Sequence, residues 1–312
     1  MPTTKKLFQA LVCPECRSKL EITPEPGRFA CSHCAMSYEA VKGTPVMLSQ
    51  DRKNQLDFEI KSWNNNELLP HFLSYQTIQR LKAPAPFKWF GREKILNALL
   101  SSLDPEGLYL NIGGTGEIKH DSVFNLNIMN GHDIHLVADG EKMPFPDNSV
   151  DGIFILLVLE HVPDPASICS EIHRVLKPGG FVFATLPFMQ VLHAHPKDYY
   201  RFTPDGIRKL FQGFIEKKLE IASGPTGSLI WILKEYFALL FPFSNYDIIY
   251  VSVREITGWI LYPLILLDLY LNRKKRAEKM ASYLYYHGLK KSDTNSTPLR
   301  PSSYEGQANG HE

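Results

Sequence analysis

The sequence predicts an α/β chain built on a parallel sheet, with a small metal-held module before it and an apolar helical segment after it. Three observations predict this. Two Cys-x-x-Cys pairs stand near the start, Cys13/Cys16 and Cys31/Cys34. From Asp139 to Pro187 an apolar run, an acidic corner, a one-faced helix and a second apolar run follow in order, the pattern of strands covered on both faces. From Leu229 to Leu271 the chain is dominated by apolar and aromatic residues.

The 312 residues are 44% hydrophobic, enough for one substantial core and a satellite module. Lys and Arg number 34 against 33 Asp and Glu, which argues neither for a nucleic-acid binder nor for an acidic tail. The start has no apolar stretch of signal-peptide length, so paired cysteines indicate a metal rather than disulfides. A reducing, cytoplasmic location is expected.

Fourteen residues separate the two cysteine pairs. This spacing suits a zinc ribbon, two knuckles closing one tetrahedral four-thiolate site. Cys13, Cys16, Cys31 and Cys34 are the expected ligands of a structural Zn2+, with His33 a bystander. The intervening KLEITPEPGRFA suits two short strands about a Pro-Gly turn. A closed site does no chemistry, so the module is expected to be structural or a docking surface.

Residues 51–88 are polar and broken by Asn64-Asn65-Asn66 and Pro84-Ala85-Pro86, a linker with one or two helices. Ile95, Leu96, Leu99, Leu100 and Leu103 repeat at helical spacing. Leu108–Ile112 is the first sheet strand, with Gly113-Gly114-Thr115-Gly116 turning after it, and Val123–Asn127 the second. Asp139 ends a third apolar run, and Gly152–Leu157 makes the fourth strand, ending at Leu159-Glu160-His161. Asp164-Pro165 caps and opens a helix with Ile168, Ile172, Val175 and Leu176 on one face. Lys177-Pro178-Gly179-Gly180 stops it before the strand FVFATLP.

The phrases A-D-x-x-x-M-P-F-P-D-x-S-V-D, L-E-H-V-P-D-P and R-V-L-K-P-G-G, in this order, resemble the second half of class I S-adenosylmethionine-dependent methyltransferases, the small-molecule and quinone-type branch. The resemblance implies a Rossmann-like seven-stranded methyltransferase sheet, S-adenosylmethionine as cofactor, and binding by Asn111, Gly113, Gly114, Gly116, Asn127, Asp139, Gly140, Glu160 and His161. Asp139 matches the carboxylate that caps the adenine amino group. Asn111 and Asn127 stand where the family carries acids, and the glycine loop is one residue short. Losing a carboxylate acceptor weakens donor binding by about 1–2 kcal/mol, roughly five- to thirtyfold. The segment Leu11–Leu48 is similar to small zinc-ribbon activators of methyltransferases, here fused in cis. His161 contacts cofactor or substrate in this reading, or else caps its strand.

After Pro187 the chain places His193, His195, Asp198 and Arg201 within nine residues. A similar phrase occurs in the related branch. Either His193 or His195 acts as base with Asp198 orienting it and Arg201 meeting an anionic acceptor group, or Asp198 and Arg201 only brace the loop. Neither apolar stretch between Leu229 and Leu271 reaches the roughly twenty uncharged residues of a membrane span, but Arg273-Lys274-Lys275-Arg276 follows. That combination suits an interfacial helix pair at an anionic leaflet, with membrane contact through 229–276 on the inner face and a lipid-linked acceptor. A lid over the acceptor and a dimer face are the competing uses of this segment. The expected division is ribbon 1–50, linker 51–88, methyltransferase domain 89–225, helical C-terminal extension 226–289 and disordered tail 290–312. The expected function is methyl transfer to a small-molecule or lipid-linked acceptor. A non-catalytic binding module and an RNA-directed methyltransferase are the alternatives.

Overall fold

The computed structural model describes residues 4–23, 27–64, 82–84, 92–114, 116, 118–193, 197–241 and 247–291. The tail beyond Lys291 and much of the expected linker lie outside the described residues.

A short helix α1 (Thr4–Ala10) leads into four antiparallel strands, β1 (Leu20–Thr23), β2 (Arg28–Cys31), β3 (Ser37–Val41) and β4 (Thr44–Val46). Helix α2 (Gln50–Asn64) follows, and α3 (Arg92–Ser101) precedes the first parallel strand. The sheet continues as β5 (Tyr109–Ile112), β6 (Val123–Asn127), β7 (Leu136–Val137) and β8 (Val150–Leu156). Then come α4 (Pro165–Val175), β9 (Leu176–Pro187), α5 (Pro204–Leu210), β10 (Phe214–Ser223), α6 (Pro225–Leu240), α7 (Asp247–Leu261), α8 (Asp268–Leu271) and β11 (Tyr283–Lys290).

All eleven strands form one sheet, ordered β1-β2-β3-β4-β7-β6-β5-β8-β9-β11-β10. Strands β7, β6, β5, β8 and β9 are parallel neighbours, and β11 runs antiparallel between β9 and β10. In sequence order the parallel five read 3-2-1-4-5, the doubly wound arrangement. The Rossmann-like expectation therefore holds for the seven strands after the ribbon. The ribbon adds four more, because β4 pairs in parallel with β7 at Val46 and Val137. Val12 N–H also donates to the Pro144 carbonyl at 3.0 Å, which ties the first knuckle to the turn beside that edge.

Apolar residues of the parallel strands are buried on both faces: Leu110, Ile112, Phe124, Leu126, Ile153, Phe154 and Ile155 are all 3% exposed or less. Their sequence runs are unbroken for that reason. Helix α4 begins where Asp164 accepts the Ala166 and Ser167 N–H groups, and it buries Ile168, Ile172 and Val175 against the sheet. Arg174 bonds Glu171, Asp147 and the carbonyls of Phe145 and Met143. The M-P-F-P-D turn and the R-V-L phrase are thus two halves of one structural lock. Lys177–Gly180 does not separate helix from strand as expected; it forms the first residues of β9, with Gly179 at φ +80°.

Two further corrections concern the carboxyl-terminal region. Tyr283–Lys290 is not helical: it is the strand β11, with Tyr283, Leu284, Tyr285 and Tyr286 buried in the core. The helical segment is an insertion between two paired strands rather than a terminal extension. The second apolar stretch is also longer than its breakers imply. Pro263 sits in the first turn of a 3-10 segment, where its missing N–H costs nothing, and the helical run continues over Ile249–Leu271, 23 residues of mean hydropathy 1.3. By length and composition alone it is long enough to cross a bilayer.

Candidate functional site

In an open parallel sheet, ligands lie beyond the carboxyl ends of the strands, where strand order reverses. Here the reversal falls between β5 and β8, and the expected site residues gather around it. After β5, Gly113 and Gly116 take left-handed φ values of +71° and +94°. A Cβ on Gly113 would stand 2.4 Å from Val158, and one on Gly114 would stand 2.0 Å from Asn111 Nδ2. The loop lies against its own strand ends, and only glycine fits there.

Asn111 is buried, and its Nδ2 donates to Asn125 Oδ1 at 3.0 Å. Its own Oδ1 has no hydrogen-bond partner among the described residues. Asn127 is turned inward: Nδ2 stands 3.3 Å from the carbonyls of both Gly113 and Gly114, and Oδ1 accepts the Met129 N–H. Asp139 ends β7 and receives the Arg52 guanidinium of α2, Nε to Oδ2 at 2.7 Å. Its other oxygen accepts the Glu141 N–H at 3.0 Å. Gly140 packs beside Ile112 and Ile168, where a Cβ would still be in ordinary contact. The cradle fits S-adenosylmethionine in its close-approach glycine backbone and in the orphaned amide oxygen of Asn111. Asn127 must turn outward before it can meet a ribose.

At the end of β8, Leu157 has φ +57°, unusual for a branched residue. This reversal starts the 3-10 turn Leu159–His161 and points Glu160 inward. The Glu160 side chain is fully buried, and neither oxygen receives a hydrogen bond from the described residues. Burial pushes its carboxyl up to about 7. His161 Nδ1 lies 2.6 Å from the Lys197 carbonyl. The loop after β9 brings His193 to the same place, its ring 5.3 Å from that of His161 and nearly perpendicular to it. His193 Nε2 stands 3.9 Å from Glu160 Oε1, and His161 Nε2 stands 3.8 Å from the same oxygen.

Asp198 and Arg201 form a two-bonded pair, with Nη1 to Oδ1 at 2.5 Å and Nη2 to Oδ2 at 2.6 Å. Burial alone would raise the Asp198 carboxyl, but the guanidinium bonds outweigh it and hold the group at about 2. Asp198 Oδ2 also accepts the His193 N–H at 2.9 Å and lies 3.4 Å from His193 Nδ1. Burial lowers the His193 pKa, opposed by Asp198. Of the expected loop residues, His193, Asp198 and Arg201 come together; His195 lies outside the described residues. Arg201 is committed to Asp198 and to the carbonyls of Gln190, Val191 and Tyr200, so its contacts brace the loop.

Two neighbours carried no local signal. Arg52 comes from a stretch read only as linker, and Trp231 of α6 stands 5.6 Å from the His193 ring. Trp231 brings the apolar helical insertion against the loop after β9.

At the sheet's other end, Cys13, Cys16, Cys31 and Cys34 converge with all four sulfurs within 4.8 Å of one another. Arg17 and Ala35, each just after the second cysteine of a pair, adopt φ +61° and +58°. These matched turns aim both thiols of each knuckle inward. Tyr38 Oη lies 3.5 Å from Cys13 Sγ, and His33 is exposed. The fifth cysteine, Cys169, is buried in the core and its thiol is pushed up by burial, which leaves it inert.

Residues 122–184 match the family described as "Methyltransferase domain". Over these residues the chain is similar to methyltransferase domains. Its matched part holds Asp139, Gly140, Glu160 and His161, the strand-end residues of the site. The chain is 42% identical over 66 residues to the ubiquinone/menaquinone biosynthesis C-methyltransferase of Rickettsia akari, covering 21% of this chain and 26% of that protein. It is 31% identical over 156 residues to the demethylmenaquinone methyltransferase of Staphylococcus aureus, covering 48% and 58%. The chain thus spans less than two thirds of the length of either relative. Among solved structures, phosphoethanolamine N-methyltransferase 2 of Haemonchus contortus with S-adenosyl-L-methionine aligns with TM-score 0.41 and 20% identity, covering 65% of this chain and 53% of that one.

Proposed function

We propose that the protein is an S-adenosylmethionine-dependent methyltransferase acting on a small, lipid-linked acceptor of the quinone type. The matched domain supports this, because it contributes the carboxylate at the end of β7 and the buried acid at the end of β8. Bound S-adenosylmethionine supplies a methyl group on a positively charged sulfur. The chain's part is to hold the donor along the glycine turn and to cap its adenine with Asp139. It must also bring the acceptor over the carboxyl ends of β8 and β9 with water excluded. His193, held through its backbone by Asp198, is the group placed to take a proton from a hydroxyl acceptor. Arg201 fixes Asp198, and thereby the loop.

The lipid-linked part of the proposal draws on α6 and α7. Leu239, Leu240, Ile256, Trp259, Ile260 and Tyr270 are all more than half exposed, and the basic run Arg273–Arg276 beside them is exposed too. Apolar side chains next to basic ones suit an anionic membrane surface, and Trp231 links that face to the acceptor loop. The ribbon is proposed as a structural zinc module that extends the sheet edge beside Asp139.

Calorimetric titration of the zinc-loaded protein with S-adenosylhomocysteine tests the reading. Saturable binding that Asp139→Ala weakens tenfold or more is expected. Absence of saturation at millimolar concentration would leave the second reading, a methyltransferase-fold binding module, which the inward turn of Asn127 favours.

A further inference from the structure

We propose that Glu160, His161 and His193 form a second metal site, for one divalent transition-metal ion, at the mouth of the acceptor region. One carboxylate oxygen of Glu160 and one ring nitrogen of each histidine lie within 4.8 Å of one another. The three come from two separate segments, the turn after β8 and the loop after β9. Glu160 is the decisive member. Its side chain is completely buried, neither oxygen has a hydrogen-bond partner among the described residues, and it faces the Nε2 atoms of two imidazoles at 3.8 and 3.9 Å. These separations are too long for hydrogen bonds. Donors around one cation at about 2.1 Å stand about 3.4 Å apart, so each imidazole reaches ligand spacing from Glu160 by a closure of a few tenths of an ångström.

The outer contacts suit ligation. His161 Nδ1 meets the Lys197 carbonyl at 2.6 Å, which holds the proton on Nδ1 and leaves the Nε2 lone pair facing Glu160. His193 Nδ1 has the Val191 carbonyl at 3.4 Å to receive its proton, with Asp198 Oδ2 also 3.4 Å away. Arg201 Nη2 stands 3.2 Å from that nitrogen, but both its N–H groups already serve Asp198 and Val191, so Nδ1 is not required as an acceptor. Two imidazoles and one carboxylate select zinc, manganese or ferrous iron over magnesium or calcium. The His161 and His193 side chains are 19% and 30% exposed, against 0% for Glu160, so the site opens on one side, where an added ligand binds.

Resting on the methyl-transfer reading, that ligand is the hydroxyl oxygen of the acceptor. Coordination lowers the hydroxyl pKa, its proton passes to solvent, and His193 then serves as ligand rather than as base.

Metal content and zinc titration of the full chain test the site. Wild type is expected to hold two zinc ions, one in the four thiolates and one here. Glu160→Gln and the pair His161→Ala/His193→Ala should weaken the second at least about a hundredfold, while the thiolate-bound zinc stays. Glu160→Gln removes a buried charge at constant volume, so its circular dichroism should match wild type. One zinc per chain with no saturable second uptake overturns the proposal, as does a second ion bound equally by the variants. The zinc count is independent of S-adenosylhomocysteine binding, so failure of the methyltransferase reading would show in the other titration alone.

Discussion

Arg52 Nε reaches Asp139 Oδ2 at 2.7 Å across 87 positions of sequence, so the carboxylate expected to cap adenine is already held by a guanidinium from α2. The pair is partly exposed, at 28% and 18%, and such pairs contribute about 1 kcal/mol or less. Adenine capping must share or displace this bond. Arg52→Ala is therefore expected to tighten S-adenosylhomocysteine two- to fivefold, and Asp139→Ala to weaken it, both by calorimetry. Weaker binding by Arg52→Ala would mean that the guanidinium positions the carboxylate instead.

The two asparagines at acid positions should respond in opposite ways. Asn127 is half-buried and bonds only loop backbone; an aspartate there is repelled by both carbonyls and turns outward toward the ribose. Asn127→Asp is expected to tighten the donor about five- to thirtyfold. Asn111 is buried with Nδ2 on Asn125 Oδ1, so Asn111→Asp places an anion against a carbonyl and should cost about 1–3 kcal/mol of stability. Urea denaturation and titration of both variants separate the effects.

Zinc removal should reach beyond the ribbon. Structural zinc sites supply roughly 10–16 kcal/mol in small modules, and β4 shares its edge with β7. Chelation is expected to raise hydrogen exchange at Thr44–Leu48 and also at Leu136–Asp139. Exchange confined to residues before Leu48 would make the module independent of the sheet.

Helices α6 and α7 are joined by a buried ion pair, Lys234 Nζ to Glu255 Oε2 at 3.3 Å, and Glu255 also accepts the Ala83 N–H at 2.7 Å. Glu255→Leu leaves the ammonium buried alone and should cost about 3–5 kcal/mol. Adding Lys234→Met to it should recover most of that loss, leaving the Ala83 N–H unmet. Equal losses in single and double variants would deny coupling.

Sedimentation with anionic liposomes checks the exposed apolar face. Co-sedimentation at low salt is expected, reduced about tenfold or more when Arg273, Lys274, Lys275 and Arg276 become Gln, and weakened by salt. Equal pelleting with neutral lipid would assign the attraction to apolar contact alone.

Features set by neighbours in sequence are legible in the chain. The cysteine spacing located the ribbon site, because a knuckle is a three-residue turn and two knuckles need only one hairpin between them. Asp164 and the apolar face of α4 are legible because caps and periodicity involve neighbours in sequence. Strand β11 was missed. Its eight residues follow a long apolar helical stretch, and a short aromatic run has no periodicity that separates helix from strand. Its pairing with β9, a hundred residues earlier, is what makes it a strand.

The sequence by itself determined that a parallel sheet would form, that four thiols would converge, and that acids would stand at the ends of β7 and β8. Those outcomes follow from periodicity, turn chemistry and spacing. Only the tertiary structure decided what those acids meet: Arg52 on Asp139, and two imidazoles facing a buried, unbonded Glu160. Such contacts depend on where separate segments come to rest once the core has packed, and no local pattern in the chain encodes that distance.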